Sequence, residues 1–468
     1  THKILYNDSN VLKMGGIFLA TNFTEIIKNQ SVLSNKQKIN IIIQLSIPTI
    51  LSQVSSILMQ YIDAAMVGHL GPDASASIGI VSTSSWLLSG LCSAMATSFA
   101  VQVAQLIGAS QYEKARRTFK TALITSLIFS CILLIIGVLV NQSLLTWLGA
   151  DPAIFDNASA YFLVFTLSLP ILQLNSLCSS MLQCSGNMKI PSLLNASMCG
   201  LDVIYNLIFI HYFGVVGAAI GTALAQLTVC FINLWYTTCH SSLLKFQNHE
   251  KFYFEKETLK NAFQIGTPLA FEHIAICGAM VMSTKIIAPL GTIAIAAHSF
   301  AITAESLCYM PGYGLEAAAT TLVGQCMGAQ RKELAKSFSN LTVAFGAIIM
   351  GIIAIVMFVI SPFVFQILTP DVQTQQLATE VLRIELFAEP LYGVSIVASG
   401  ALRGAGDTLI PSLLNLLSIW GVRLSLSVLF VQTMGLHGVW LAMCIELCVR
   451  GLLLLYRQQR GQWLEKSL

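Results

Sequence analysis

Nine acidic residues interrupt long apolar runs in this chain: Asp63, Asp202, Glu272, Glu305, Glu316, Glu380, Glu385, Glu389 and Glu446. A carboxylate at the centre of a membrane-spanning helix costs about 2.5–3.5 kcal/mol on insertion scales, so it faces the bundle interior and seeks a partner. Asp202 and Asn206 are four apart and share a helix face. Asp63 falls at a similar depth. Two carboxylates and an amide can hold Na⁺ as hard oxygen ligands, or a proton as a carboxylate dyad. Glu272 and Glu305 each lie near the middle of a run, where a pair of glutamates could bind an organic cation or exchange it for a proton. Glu389 and Arg423 fall at equal depth and read as a structural ion pair. Glu446 and Arg450 read as an i,i+4 pair. Pro48 removes a backbone hydrogen bond and predicts a kink in the first run. Each has a bland counterpart: Asp63 as a cap near Gly68, Asp202 bonded to a neighbouring Ser or Asn, and the two glutamates bonded to His273, His298 or Tyr309.

Those residues must be positioned by helices. The chain has 468 residues, 55% hydrophobic and 10% charged, with mean hydropathy +0.73. Soluble domains carry about 25% charge, so a soluble multidomain protein and a disordered one are both excluded. A net charge of +3 gives no argument for nucleic acid. The 12 cysteines contain no C-x-x-C pair and read as reduced core residues. No G-x-x-x-x-G-K-[ST] motif is present, which excludes a P-loop ATP-driven pump. No two aspartates adjoin, as an aspartate-rich metal motif would require. The reading is not an enzyme, with no cofactor beyond a coupling ion.

Apolar windows long enough to span a bilayer fall near 39–66, 76–107, 116–140, 153–182, 189–211 and 214–239, then near 260–288, 293–326, 335–360, 373–402, 411–430 and 438–456. This predicts an all-α integral membrane protein of twelve transmembrane helices. Lys and Arg alternate strictly. Lys114, Arg116, Arg117 and Lys120 follow the second window, Lys245, Lys251, Lys256 and Lys260 the sixth, Arg331, Lys332 and Lys336 the eighth, and Arg403 the tenth. The odd-numbered connections carry only Asp73, Asp151, Asp156 and Asp371. Both termini are therefore expected in the cytoplasm. Residues 1–35 are Asn-rich, lack the features of a signal peptide and read as a cytoplasmic tail, which suits a bacterial inner (plasma) membrane.

Sliding the chain by 220 residues aligns it with itself. QLSIP at 44–48 meets QIGTP at 264–268, QLIGA at 105–109 meets QCMGA at 325–329, and IPSLLN at 190–195 recurs at 410–415. Gly214 and Gly217 match Gly435 and Gly438 after a one-residue slip. Two parallel six-helix repeats follow, with the binding site expected between them. The domain reading is a tail at 1–35, an N-lobe at 36–239, a cytoplasmic linker at 240–259, a C-lobe at 260–456 and a cytoplasmic tail at 457–468.

YIDAAMVGHLGPDASA near the end of the first window, LGTIAIAAHSFAITAESLCYMPGYGLEAAATTLVGQCMGA in the seventh and eighth, and GALRGAGDTLIPSLLN at the tenth and eleventh resemble the multidrug and toxic compound extrusion (MATE) transporters over residues 36–456. The resemblance implies a V-shaped, two-lobe secondary exporter. It would antiport a small organic, often cationic, compound against H⁺ or Na⁺ by alternating access, acting as a monomer in the lipid bilayer. It carries the family's first-helix aspartate onto Asp63. One branch has Asn then Asp on the fifth helix, where this chain has Asp202 then Asn206. Some relatives place a coupling Asp where this chain has Tyr392, and others a seventh-helix acid where it has Ile276. The alternative reading is a flippase for a lipid or lipid-linked intermediate.

Overall fold

The structure is a computed structural model that describes residues 26–27, 33–247 and 254–466. Most of the predicted N-terminal tail, including Lys28, and the middle of the predicted linker, including Lys251, lie outside the described residues.

No strand occurs among the described residues. The first half comprises α1 (Asn35–Gly68), α2 (Pro72–Gly108), α3 (Tyr112–Leu148), α4 (Pro152–Leu167), α5 (Leu169–Cys184) and α6 (Lys189–Trp235). The second comprises α7 (Lys256–Ile287), α8 (Thr292–Gly328), α9 (Lys332–Leu368), α10 (Val372–Glu385), α11 (Glu389–Gly404), α12 (Leu409–Leu417), a π-helical turn (Ser418–Leu424) and α13 (Ser425–Arg460). The limits of α2, α3 and α5 recur 220 residues later in α8, α9 and α11. So do rare backbone conformations: Ser110 has φ 65° and Gln330 has φ 59°. The sequence repeat is thus a structural repeat.

Local chemistry sets the helix ends. Ser34 and Gln37 form a reciprocal capping box at the start of α1. Asp151 accepts from the Ala153 N–H at 2.9 Å, with Pro152 opening α4. Asp371 accepts from the Thr374 N–H at 2.9 Å and starts α10. That bond, together with one from the Thr374 hydroxyl, holds the exposed Asp371 carboxyl below its ordinary range.

Among the described residues, eight helices are long and apolar enough to cross a membrane, or nine if the pair α4–α5, bent by 45°, is one span. Two of the eight, each with its adjoining segments, run for 52 residues and fold back on themselves. At Gly214 the backbone takes φ 57°, ψ −131°, and at Gly435 φ 57°, ψ −134°. Only glycine adopts such angles without strain. Beyond the first reversal, a Cβ on Gly217 would sit 2.1 Å from the Phe209 carbonyl oxygen; beyond the second, one on Gly438 would sit 2.4 Å from that of Phe430. The chain in each case returns antiparallel along its own first arm.

Large apolar side chains cover the outside of the bundle as well as filling its core. On α9, Ile348, Ile352, Ile355, Val359, Phe363 and Ile367 are 56–85% exposed, while Ser339, Thr342 and Ser361 are buried. On α3, Ile128, Ile135 and Leu139 face out, while Ser126 and Ser130 are fully buried. Small and polar side chains turned inward and large apolar ones outward are what a lipid solvent selects. All 12 cysteines are free. Most are buried as expected, but Cys131 and Cys239 are exposed, since an apolar solvent does not penalise a thiol.

The halves meet through α1 against α8, α7 against α2, and α2 against α8. The closest approach is at the end that carries the chain termini. A Cβ on Gly108 would lie 2.1 Å from the Gln325 carbonyl oxygen, and one on Gly328 would lie 1.8 Å from that of Gln105. The repeated motif therefore packs on its own copy, backbone on backbone. Gly328→Val should force the helices apart at a cost of about 1–3 kcal/mol. The check is labelling of the fully buried Cys326 by a thiol reagent added from that face, expected to rise several-fold; unchanged labelling would contradict the contact. Pro48 lies inside α1, which continues through it without a break.

Candidate functional site

The residues singled out in the first half come together. Asp63 projects from α1, and Asp202 and Asn206 project from the first arm of α6. The Asn206 Nδ2 donates to Asp63 Oδ1 at 2.8 Å and to Asp202 Oδ2 at 3.0 Å. One amide thus bridges two carboxylates on different helices. Asp202 and Asn206 are fully buried and Asp63 is half-buried. Asp63 caps nothing, because α1 runs on to Gly68. Asp202 Oδ1 and Asn206 Oδ1 have no donor among the described residues. Two orphan buried oxygens beside a second carboxylate form a donor set that fits either a proton or a hard monovalent cation. Two features were not singled out in the sequence. Tyr161 of α4 lies within Coulombic range of both aspartates. Gly221, on the returning arm of α6, leaves room for Asn206, because a Cβ there would sit 2.1 Å from its Oδ1.

The Asp63 helix is also tied to the other half. The Tyr61 hydroxyl, two residues away, donates to the Thr303 carbonyl of α8. Thr49 donates to the Gly314 carbonyl at 2.8 Å. The carboxylate site and the inter-half contact therefore share one rigid element.

In the second half Glu272 and Glu305 belong to different networks. Glu272 is fully satisfied. Its Oε1 accepts from Arg403 Nη2 at 3.0 Å and Asn415 Nδ2 at 2.7 Å, and its Oε2 from Ser412 Oγ at 2.6 Å and Arg403 Nη2 at 3.2 Å. Arg403 also binds Glu316. This corrects two expectations. Arg403 is not a loop residue: it ends α11 and turns its guanidinium into the bundle, leaving the side chain 17% exposed. Glu272 is not an open cation ligand, because a resident guanidinium already occupies it. The repeat explains the placement. Ser52 and Asn195 stand at the positions equivalent to Glu272 and Asn415, and there Asn195 Nδ2 donates to Ser52 Oγ at 2.9 Å. The second half inserts a charged pair into an interaction that the first half makes with neutral groups.

Glu305, 6% exposed on α8, faces the charges of Arg423, Arg450 and Glu446 instead. Arg450 and Glu446 form the expected i,i+4 pair at 3.0 Å, with Ser418 Oγ donating to Glu446 at 2.7 Å. Arg450 also stacks over the Tyr392 ring at 5.2 Å. The Glu389–Arg423 ion pair is not formed. Arg423 Nη2 points at Met443 Sδ, at 2.7 Å, and neither carboxylate oxygen of Glu389 has a partner among the described residues. Equal depth in the sequence did not fix the azimuth of either helix. Glu380, expected in the interior, is 61% exposed and pairs with His437 at 2.8 Å. A cavity of about 240 Å³, lined by Gln102, Lys114, Glu257, Asn261, Gln330 and Lys466, opens at the terminus-bearing end, apart from all these acids.

Comparison with known proteins agrees with this architecture. The MatE family model matches residues 48–208 and 268–429, one match per half. The chain is 25% identical over 441 residues to the probable multidrug resistance protein NorM of Thermotoga maritima, covering 91% of this chain and 93% of that one. It is 22% identical over 433 residues to the probable multidrug resistance protein YoeA of Bacillus subtilis, covering 90% of this chain and 93% of that one. A crystal structure of a MATE in the straight conformation superposes with a TM-score of 0.87 at 22% identity, covering 95% of this chain and 99% of that one. An outward-facing multidrug resistance MATE transporter superposes with a TM-score of 0.88 at 21% identity, with the same coverage. The doubled carboxylate-bearing bundle, matched by one family model in each half, identifies this membrane-spanning helical chain as a member of the MatE family of multidrug transporters.

Proposed function

We propose that this protein is a secondary multidrug exporter that antiports small organic, often cationic, compounds against H⁺ or Na⁺ by alternating access. The observation that carries the reading is the Asp63–Asn206–Asp202 cluster: two carboxylates bridged by one amide, with orphan buried oxygens, inside an apolar bundle. The names of the relatives, multidrug resistance proteins, support the substrate class.

Twelve crossings in two six-helix lobes fit the reversals at Gly214 and Gly435, with the bent pair α4–α5 counted as one and its repeat equivalent α10–α11 likewise. Both termini then lie on one side, which the distribution of basic residues assigns to the cytoplasm. In this scheme a cation from outside takes Asp63 and Asp202, and α1 transmits the occupancy through Tyr61 and Thr49 to α8. Only a difference in the affinity of the two conformations for cation and compound can drive the exchange. The protein works as a monomer, and its coupling ion is its sole cofactor.

The test is ethidium transport in inverted membrane vesicles with a proton gradient and a sodium gradient imposed separately. Transport against its own gradient under at least one of them is expected. None under either would replace this reading with a lipid flippase.

A further inference from the structure

Glu385 ends α10 and Glu389 starts α11, one on each side of a break followed by Pro390. The first half has the same break at Ser168, followed by Pro170, with Phe165 and Leu169 at the equivalent positions. Apolar side chains therefore satisfy this bend, and the fold does not require acids there. Yet both glutamates are fully buried, and all four of their carboxylate oxygens lack a hydrogen-bond partner among the described residues. The indole N–H of the buried Trp440, in the same apolar cluster as Leu382, Leu386 and Ala388, is also without an acceptor.

A charged carboxylate without a partner is far costlier to bury in such surroundings than a neutral carboxylic acid, so the group takes a proton instead. A metal is disfavoured: no group of three or more His, Cys, Asp and Glu with metal-binding geometry occurs among the described residues. The groups facing the pair are Glu305, Cys308 and Tyr309 of α8, Arg423 of the π-helical turn and Cys444 of α13; Glu305 in turn faces Tyr392, Glu446 and Arg450, and His298 lies beyond Arg423. Among the cations, Arg450 is held by Glu446, whereas Arg423 rests on a thioether, a weak acceptor.

We propose that Glu385 and Glu389 are a proton-binding pair, both protonated in this conformation, and that Arg423 is the built-in cation that discharges them. When the guanidinium leaves Met443 and reaches the pair, a carboxylic O–H bond breaks, the proton passes to water, and the carboxylate is neutralised by Arg423. The second half thus holds one closed arginine–carboxylate set, at Arg403, and one open set. The role of this store in transport rests on the exporter reading above, but its protonation does not.

The test is infrared difference spectroscopy of the purified full chain during a pH titration, with no transported compound present. Wild type should show the carbonyl stretch of buried carboxylic acids at neutral pH, and Glu385→Gln/Glu389→Gln should lose that signal. Should the double variant fail to fold, Glu389→Gln alone should lose about half of it. Arg423→Met removes the discharging cation, so the remaining signal should persist to higher pH by about one unit or more. An unchanged signal in the Gln variants, or loss at lower pH in Arg423→Met, overturns the proposal. Because no transport is measured, failed efflux in vesicles with an intact infrared result would count against the exporter reading alone.

Discussion

Asp63→Asn is expected to weaken uphill efflux severely while leaving the protein folded and able to bind its compounds. The substitution is isosteric and keeps a side chain that can meet Asn206, so the helix contact survives. What it removes is the charge that a cation or proton exchanges with. Coupling free energies between sites are typically 1–3 kcal/mol, so concentrative efflux should fall by about 5–150-fold. Downhill exchange of the same compound should persist. The measurement is ethidium accumulation ratio in energised vesicles beside dye binding to purified protein. Full uphill efflux by the variant would remove Asp63 from the coupling role. Asp202→Asn should give a loss of the same sign, because the same amide bridges both acids.

The second large effect is structural. Arg403 Nη2 binds Glu272 at 3.0 Å, and the same guanidinium binds Glu316, so it links α7, α8 and α11. Arg403→Met removes the cation and strands the buried carboxylate of Glu272 and the largely buried one of Glu316, which should cost about 3–5 kcal/mol. Adding Glu272→Gln and Glu316→Gln to it should recover most of that loss, since no buried charge then lacks a partner. The equivalent neutral contact of Ser52 with Asn195 shows that the packing tolerates such a replacement. Equilibrium unfolding in bicelles measures both variants. A single variant within about 1 kcal/mol of wild type would mean that the pair is not a structural tie, as many exposed ion pairs are not.

Much of this is legible in the amino-acid sequence. The 220-residue offset is a covalent fact, and it reappears in the limits of α2, α3 and α5 and in the paired backbone angles at Ser110 and Gln330. The helical period alone put Asp202 and Asn206 on one face. Family resemblance added Asp63, and the three converge as anticipated. The failures share a cause. Depth along a helix is readable from counting, but azimuth is not. Glu389 and Arg423 share a depth and do not pair, whereas Arg403, where the sequence predicts a loop, turns inward to a pair of acids. A basic residue one position from the end of a helix carries no sign in the sequence of which way its side chain turns.

The amino-acid sequence by itself determined the solvent, the repeat and the stock of buried charges, because burial in lipid is set by composition and periodicity, which are local. The tertiary structure alone decided which charges are satisfied and which are not. Glu272 and Glu389 are the same residue type in the same kind of helix. One meets an arginine, a serine and an amide, and the other finds no hydrogen-bond partner among the described residues. That difference depends on how helices far apart in sequence are rotated against one another, and packing fixes that rotation.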